Sequence, residues 1–169
     1  MELDCADPTE DELFRAASRL VAQATAAGKT VGTAESCTGG LVAGAITAVP
    51  GSSSAIRGGV VSYAIPVKHE VLGVSQEVLD APGVGAVSSE CAAQMCRGAR
   101  RVLGCDVAVS VTGIAGPGGA EPGKPVGTVW FGVTDGQRVR TELHLFTGDR
   151  ATVRRKAVAC AIALLGDML

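Results

Sequence analysis

Aromatic residues are scarce in this chain. Three phenylalanines, one tyrosine and one tryptophan are all that its 169 residues hold. A core must then be built from Ala, Val, Leu and Ile, which argues against an aromatic-rich barrel. Histidine is scarcer still, and neither His69 nor His144 stands at metal-ligand spacing from Cys5, Cys37, Cys91, Cys96, Cys105 or Cys160. No Cys-x-x-Cys pair occurs, so no metal site is expected and the cysteines read as reduced thiols of a cytoplasmic protein. Basic residues show no excess: 15 Lys and Arg face 17 Asp and Glu, for a net charge of -2. Nucleic-acid affinity usually begins with a basic patch, so no nucleic-acid partner is expected. Long apolar runs are absent, which excludes a helical membrane span. The acidic start Met1-Glu2-Leu3-Asp4 lacks the basic and apolar regions of an export signal.

What is plentiful is glycine, 23 residues, within a composition that is 47% hydrophobic and 19% charged. Such a chain is long enough to bury a sizeable core and does not read as disordered. Small aliphatic residues with many tight turns favour a layered α/β protein folded as one domain.

The stretch Thr33-Ala34-Glu35-Ser36-Cys37-Thr38-Gly39-Gly40 organises the rest. A short β-tolerant segment, Thr30-Val31-Gly32, precedes it, and the apolar run Leu41 to Val49 follows as a helix. A strand, a polar turn and a helix start make the junction at which open α/β sheets bind ligands, with unpaired helix N–H groups facing solvent. Ser36 and Thr38 are candidates for chemistry there; the bland alternative is that one of them caps the helix.

Other segments read as scaffold. Thr9 and Glu12 form a capping box for a helix whose apolar stripe is Leu13, Ala17, Leu20, Val21 and Ala24, ending at Gly28. Val60, Val61 and Tyr63 suit a strand, with a bulge or close approach at Gly58-Gly59, and Ile65 to Val74 reads as a short helix with Pro66 in its first turn. A long helix is expected from about Ser88 to Leu103, with Ser88 or Ser89 as its cap. Val126 to Val133 and Val139 to Phe146 read as strands joined at Asp135-Gly136, a strong hairpin signal. In the second of them His144 alternates with Leu143 and Leu145, which puts it on the solvent face. Asp149 caps a last helix, Ala151 to about Leu165, and Arg150 and Arg154 lie at its N-terminus. Cations are disfavoured there, so a ligand anion is one explanation for them and surface solvation the other.

The segment Asp106 to Gly119 runs from a short apolar strand into a loop with four glycines and a proline, and Thr112 stands at the transition. Its glycine spacing fits neither the Walker nor the dinucleotide fingerprint, which weakens a nucleotide-triphosphate reading.

Together, Thr33 to Gly40, the segment from Gly58 through Tyr63 to Lys68, the Val109 to Gly119 loop and Gly148-Asp149-Arg150 resemble the C-terminal domain of the competence/damage-inducible CinA proteins, the family of the PncC nicotinamide-nucleotide amidohydrolases. The likeness runs from about Thr9 to Leu165 with the motifs in matching order. It implies a single-domain, three-layer α/β/α sandwich with a mixed central sheet. It implies hydrolysis of the carboxamide of nicotinamide mononucleotide to nicotinate mononucleotide and ammonia, without metal or other cofactor. On that resemblance Ser36 takes the nucleophile's position, with Tyr63, Lys68 and Thr112 as the other catalytic residues. Glu35, Cys37, Thr38, Gly39, Gly40, Gly113, Gly116, Gly118, Arg150 and Arg154 would surround the substrate. One departure stands out: relatives commonly carry Ser-Asn or Thr-Asn after the tyrosine, whereas this chain has Ala64-Ile65-Pro66.

Chemistry agrees with that placement. An amide carbonyl needs a nucleophile, a base, oxyanion donors and an acid for ammonia. Serine needs a neighbour to take its proton, and a desolvated lysine can do so without histidine. Two other readings remain: a non-catalytic nucleotide-binding or competence-related regulatory module, and an amidase of a related small amide. A Gly- and Ala-rich chain with apolar helices is also expected to form a homo-oligomer.

Overall fold

The computed structural model describes residues 6–169. The acidic start and Cys5 lie outside the described residues. The capping box forms as expected: the Thr9 hydroxyl accepts the N–H of Glu12, the Glu12 carboxylate accepts the N–H of Thr9, and Gly28 closes the helix in the left-handed region at φ 63°. That helix is α1, Glu10–Ala27.

Among the described residues, five strands form one sheet: β1 (Val31–Glu35), β2 (Ile56–Val61), β3 (Val107–Gly113), β4 (Thr128–Thr134) and β5 (Val139–Leu145), in the order β2-β1-β3-β4-β5. β1 runs parallel to both β2 and β3, whereas β3-β4 and β4-β5 are antiparallel, so the sheet is mixed. The Gly58-Gly59 signal corresponds to a register shift, with Val31 opposite Ile56 and Gly32 opposite Gly58.

Helices cover both faces. On one lie α2 (Leu41–Thr47), α6 (Arg150–Met168) and, packed over them, α1; on the other lie α3 (Ile65–Glu70), α4 (Gln76–Asp80) and α5 (Ser89–Leu103). A large aliphatic core fills the first interface, from Val31, Val109 and Phe131 of the sheet to Val153, Ala157 and Leu165 of α6. A smaller one, with Leu72, Val74, Cys91 and Met95, fills the second. Helices, sheet and helices make the three-layer α/β/α sandwich. Among the described residues, no helix is long and apolar enough to cross a membrane.

The connections decide where a ligand can sit. From β1 the chain crosses through α2 to β2 at one edge, then returns through α3, α4 and α5 on the opposite face to β3 on the other side of β1. The carboxyl end of β1 is therefore a topological switch point, where a crevice opens between diverging connections.

Several expectations differ: the helix expected over Ile65 to Val74 ends at Glu70, and Tyr63 lies past the end of β2 at Val61. Strand β1 runs as far as Glu35, so the polar turn begins only at Ser36. His144 is not on a solvent face but 4% exposed. Its ring meets the edge of Phe131 and lies tilted on Phe146, with centroids 5.3 Å away in both cases. The alternation was correct and the facing was inverted: on edge strand β5 the deeper side is the one beneath α6, and Leu145 faces out at 39% exposure.

Candidate functional site

Ser36 follows the last residue of β1, and its N–H donates to the Val111 carbonyl at 2.9 Å, carrying the ladder one step beyond the strand. Strand alternation sends Val31, Thr33 and Glu35 towards α2 and α6 and turns Ala34 and Ser36 to the α5 face. Thr112, at the end of the neighbouring β3, shares that face, as does Ser110, whose hydroxyl donates to Ala92 of α5.

Glu35 has a different task from the one expected. Its carboxylate is 1% exposed and accepts the N–H groups of Gly40 (2.9 Å), Val42 (3.0 Å) and Ala43 (2.8 Å), together with the Thr33 hydroxyl (3.1 Å). The N–H groups at the start of α2 are thus met by the protein's own Glu35 carboxylate. Neither Ser36 nor Thr38 caps α2; the N-cap is Gly40, at φ 98°. Removing the carboxylate would strand three helix N–H groups, each worth about 1–3 kcal/mol when left unmet.

With α2 anchored in this way, the turn holds Ser36 in a fixed place. The Gly39 N–H donates back to the Ser36 carbonyl at 3.0 Å, while the N–H groups of Cys37 and Thr38 meet no acceptor among the described residues. The side chains of both point inward. Cys37 packs in the core, and burial pushes its thiol up to about 11, so it is a neutral packing group at pH 7. The Thr38 hydroxyl oxygen is buried without a hydrogen-bond partner among the described residues.

Lys68 reaches this turn from α3. Pro66 sits in the first turn of that helix and Ala64 is its N-cap, with no side-chain cap bond, so the Ala64-Ile65-Pro66 departure still yields a regular helix start. The Lys68 side chain is 2% exposed, and its Nζ lies 2.9 Å from Ser36 Oγ, 2.6 Å from the Ser62 carbonyl and 3.4 Å from the Tyr63 carbonyl. Burial holds its ammonium below the ordinary lysine value. The Nζ donates to the Ser36 hydroxyl oxygen and to both carbonyls, three acceptors for three N–H bonds, and loss of one proton would leave a lone pair facing Ser36 Oγ.

The remaining residues sit around this pair. The Thr112 hydroxyl donates to the Ala86 carbonyl at 2.6 Å, pinning the loop ahead of α5 at the crevice. Tyr63 touches Lys68 through its carbonyl; its phenol is at the rim, 60% exposed, and accepts from Arg150 Nη2 at 3.1 Å. Arg150 Nη1 donates to the Gly116 carbonyl at 2.9 Å, so one guanidinium links the rim to the glycine-rich loop. Arg154 Nη2 donates to the Thr38 carbonyl at 3.1 Å, and its Nε is buried with no partner among the described residues. A groove of about 480 Å³ opens beside these two arginines, lined by Ala115, Pro117, Val126 and Gly148 among others. Gly113 is required by packing: a Cβ there would lie 2.6 Å from the Thr128 carbonyl oxygen. Gly116 faces Val126 as closely, whereas Gly118 borders open space.

Sequence reasoning missed the cap made by Glu35 and a second cluster, Glu142, His144 and Cys160, at the other edge of the sheet. The strand alternation could have paired Glu142 with His144; nothing local could have added Cys160.

The model of the CinA C-terminal domain matches residues 14–169. A nicotinamide-nucleotide amidohydrolase PncC from Pseudomonas putida is 46% identical over 152 residues, which cover 90% of this chain and 94% of that protein. A CinA-like protein from Leptospira borgpetersenii serovar Hardjo-bovis (strain L550) is 50% identical over 143 residues, 83% of this chain, and this chain spans only a third of that relative's length. Among solved structures, a competence-damaged protein (CinA) superfamily protein from Escherichia coli superposes with a TM-score of 0.88 at 36% identity, covering 96% of this chain and 92% of that one. A competence/damage inducible protein from Agrobacterium tumefaciens gives 0.87 at 38% identity, with 98% and 97% covered.

Proposed function

The chain belongs to the CinA C-terminal domain family, and from that membership we propose that it hydrolyses the carboxamide of nicotinamide mononucleotide to nicotinate mononucleotide and ammonia. The relatives bearing the amidohydrolase name match nearly end to end. The observation that carries the mechanism is the 2.9 Å contact between Ser36 Oγ and a buried Lys68 Nζ.

In this reading neutral Lys68 takes the Ser36 proton as Oγ attacks the carboxamide carbon. The N–H groups of Cys37 and Thr38 receive the developing oxyanion. Lys68, now an ammonium, gives its proton to the departing nitrogen; the C–N bond breaks, ammonia leaves, and an ester joins the acyl group to Ser36. Water then attacks the ester while Lys68 takes its proton, and that proton returns to Ser36 Oγ as the acid product leaves. The sum is amide plus water giving acid plus ammonia. Thr112 acts here as a positioning residue through Ala86, and Tyr63 through Arg150. Arg150 and Arg154 meet the nucleotide phosphate by charge-assisted hydrogen bonds at the mouth of the groove.

The test is ammonia release from nicotinamide mononucleotide, run beside the riboside that lacks the phosphate and with a chelator present. Wild-type protein is expected to turn over the mononucleotide with chelator present and to use the riboside poorly. Arg150→Ala is expected to raise KM for the mononucleotide on the order of 10- to 100-fold, the worth of one charged hydrogen bond, with a small change in kcat. Folded protein that binds the mononucleotide and releases no ammonia would overturn the reading.

A further inference from the structure

The edge of the sheet far from Ser36 carries a second set of chemistry-bearing side chains. Glu142 and His144 alternate on β5 and so share the face under α6, and Cys160 comes down to them from that helix. His144 Nε2 lies 3.3 Å from Glu142 Oε2 and 3.5 Å from Cys160 Sγ, and all three ligating atoms lie within 4.8 Å of one another. Zinc bonds of about 2.0–2.1 Å to nitrogen and oxygen and about 2.3 Å to sulfur place neighbouring tetrahedral ligands roughly 3.3–3.6 Å apart. The two separations from His144 Nε2 fall there, and Glu142 Oε2 and Cys160 Sγ lie within 4.8 Å of each other.

A dication at their centre would take one lone pair from each of the three atoms. The outer contacts suit ligation too. Arg140 Nε donates to Glu142 Oε1 at 3.0 Å and leaves Oε2 turned to the histidine, while Phe131 and Phe146 fix the imidazole plane. Supporting contacts of this kind orient metal ligands.

We propose that Glu142, His144 and Cys160 bind one dication of the zinc class, with the fourth position left to water. A sulfur, nitrogen and oxygen set favours zinc or cobalt over magnesium or calcium. On binding, the thiol S–H bond breaks, the sulfur keeps the electron pair and bonds to the metal, and one proton is released to solvent. Three ladder steps and the thickness of the sheet separate this cluster from Ser36, so the ion serves stability. It clamps β5 to α6, the helix whose first turns carry Arg150 and Arg154.

The experiment is a titration of chelator-stripped full-length protein with zinc chloride and, separately, cobalt chloride. It reads bound metal per chain, the thiolate-to-cobalt absorption band and the melting temperature. One zinc per chain, a thiolate band and a Tm rise of about 5–10 °C at a free zinc concentration on the order of 100 times Kd are expected. Cys160→Ser should abolish the band, and Glu142→Gln, which preserves shape, should weaken zinc binding by about 10-fold or more. His69→Gln, outside the cluster, should bind as wild type does. Absence of stoichiometric zinc in the wild type, or undiminished binding in Cys160→Ser and Glu142→Gln, would overturn the proposal.

Discussion

Replacing Ser36 with alanine is expected to lower kcat for nicotinamide mononucleotide by at least about 10⁴-fold, the scale on which removal of a nucleophile acts. The substitution removes one oxygen from a partly exposed position beyond β1. The N–H that anchors it to Val111 belongs to the backbone and survives, as does the carboxylate cap on α2. Fold and substrate affinity should therefore change little, and the whole loss should fall on kcat. Ammonia assay with matched melting curves checks this; a variant that keeps wild-type turnover would remove Ser36 from the chemistry.

Lys68→Ala is expected to lower kcat by about 10²–10⁴-fold, the usual range for a positioned general base. The double variant with Ser36→Ala should be no slower than Ser36→Ala alone, because the two act as one unit. The informative partner is Lys68→Arg. Arginine keeps the positive charge and can donate to the Ser62 carbonyl, but it cannot give up its proton in a protein. It should be as inactive as alanine if Lys68 works as a base, and substantially active if the side chain only supplies charge. The pH dependence follows from the same burial. Desolvation lowers the lysine value, and the reactive form is the neutral one. Activity should then rise with pH on an acid limb that begins below the ordinary lysine range, and Lys68→Ala should flatten that limb. Folding linkage has the same sign: the unfolded chain holds the proton more tightly, so Lys68 weighs against stability at low pH and that burden lifts as pH rises.

The parts of the fold that were legible in the sequence are those fixed by neighbours in the chain. Thr9 with Glu12, Asp135-Gly136, Ser88 and Asp149 each announce a cap or turn within a few residues, and the elements began and ended close to those signals. The short helix Gln76–Asp80 was not read, because five residues leave too little periodicity. What depends on the third dimension was read less well. Glu35 looked like a ligand contact in a polar turn, yet its carboxylate turns back onto residues five to eight places later. His144 looked exposed because its neighbours on β5 are leucines; only the position of α6 shows which side of that edge strand is deep. Ser36 and Lys68 stand 32 residues apart, and their contact crosses from the end of β1 to α3. Spacing alone does not bring such residues together, and it was the resemblance to a known family that set them side by side in advance.

The most direct test of the central claim is to run turnover of nicotinamide mononucleotide with increasing hydroxylamine and to measure the acid and hydroxamate products. If Ser36 carries the acyl group as an ester, hydroxylamine competes with water for it. The hydroxamate-to-acid ratio then rises in proportion to hydroxylamine, and neither product forms in Ser36→Ala. Full consumption of the mononucleotide to acid alone at every hydroxylamine concentration, with ammonia still released by Ser36→Ala, would contradict the account.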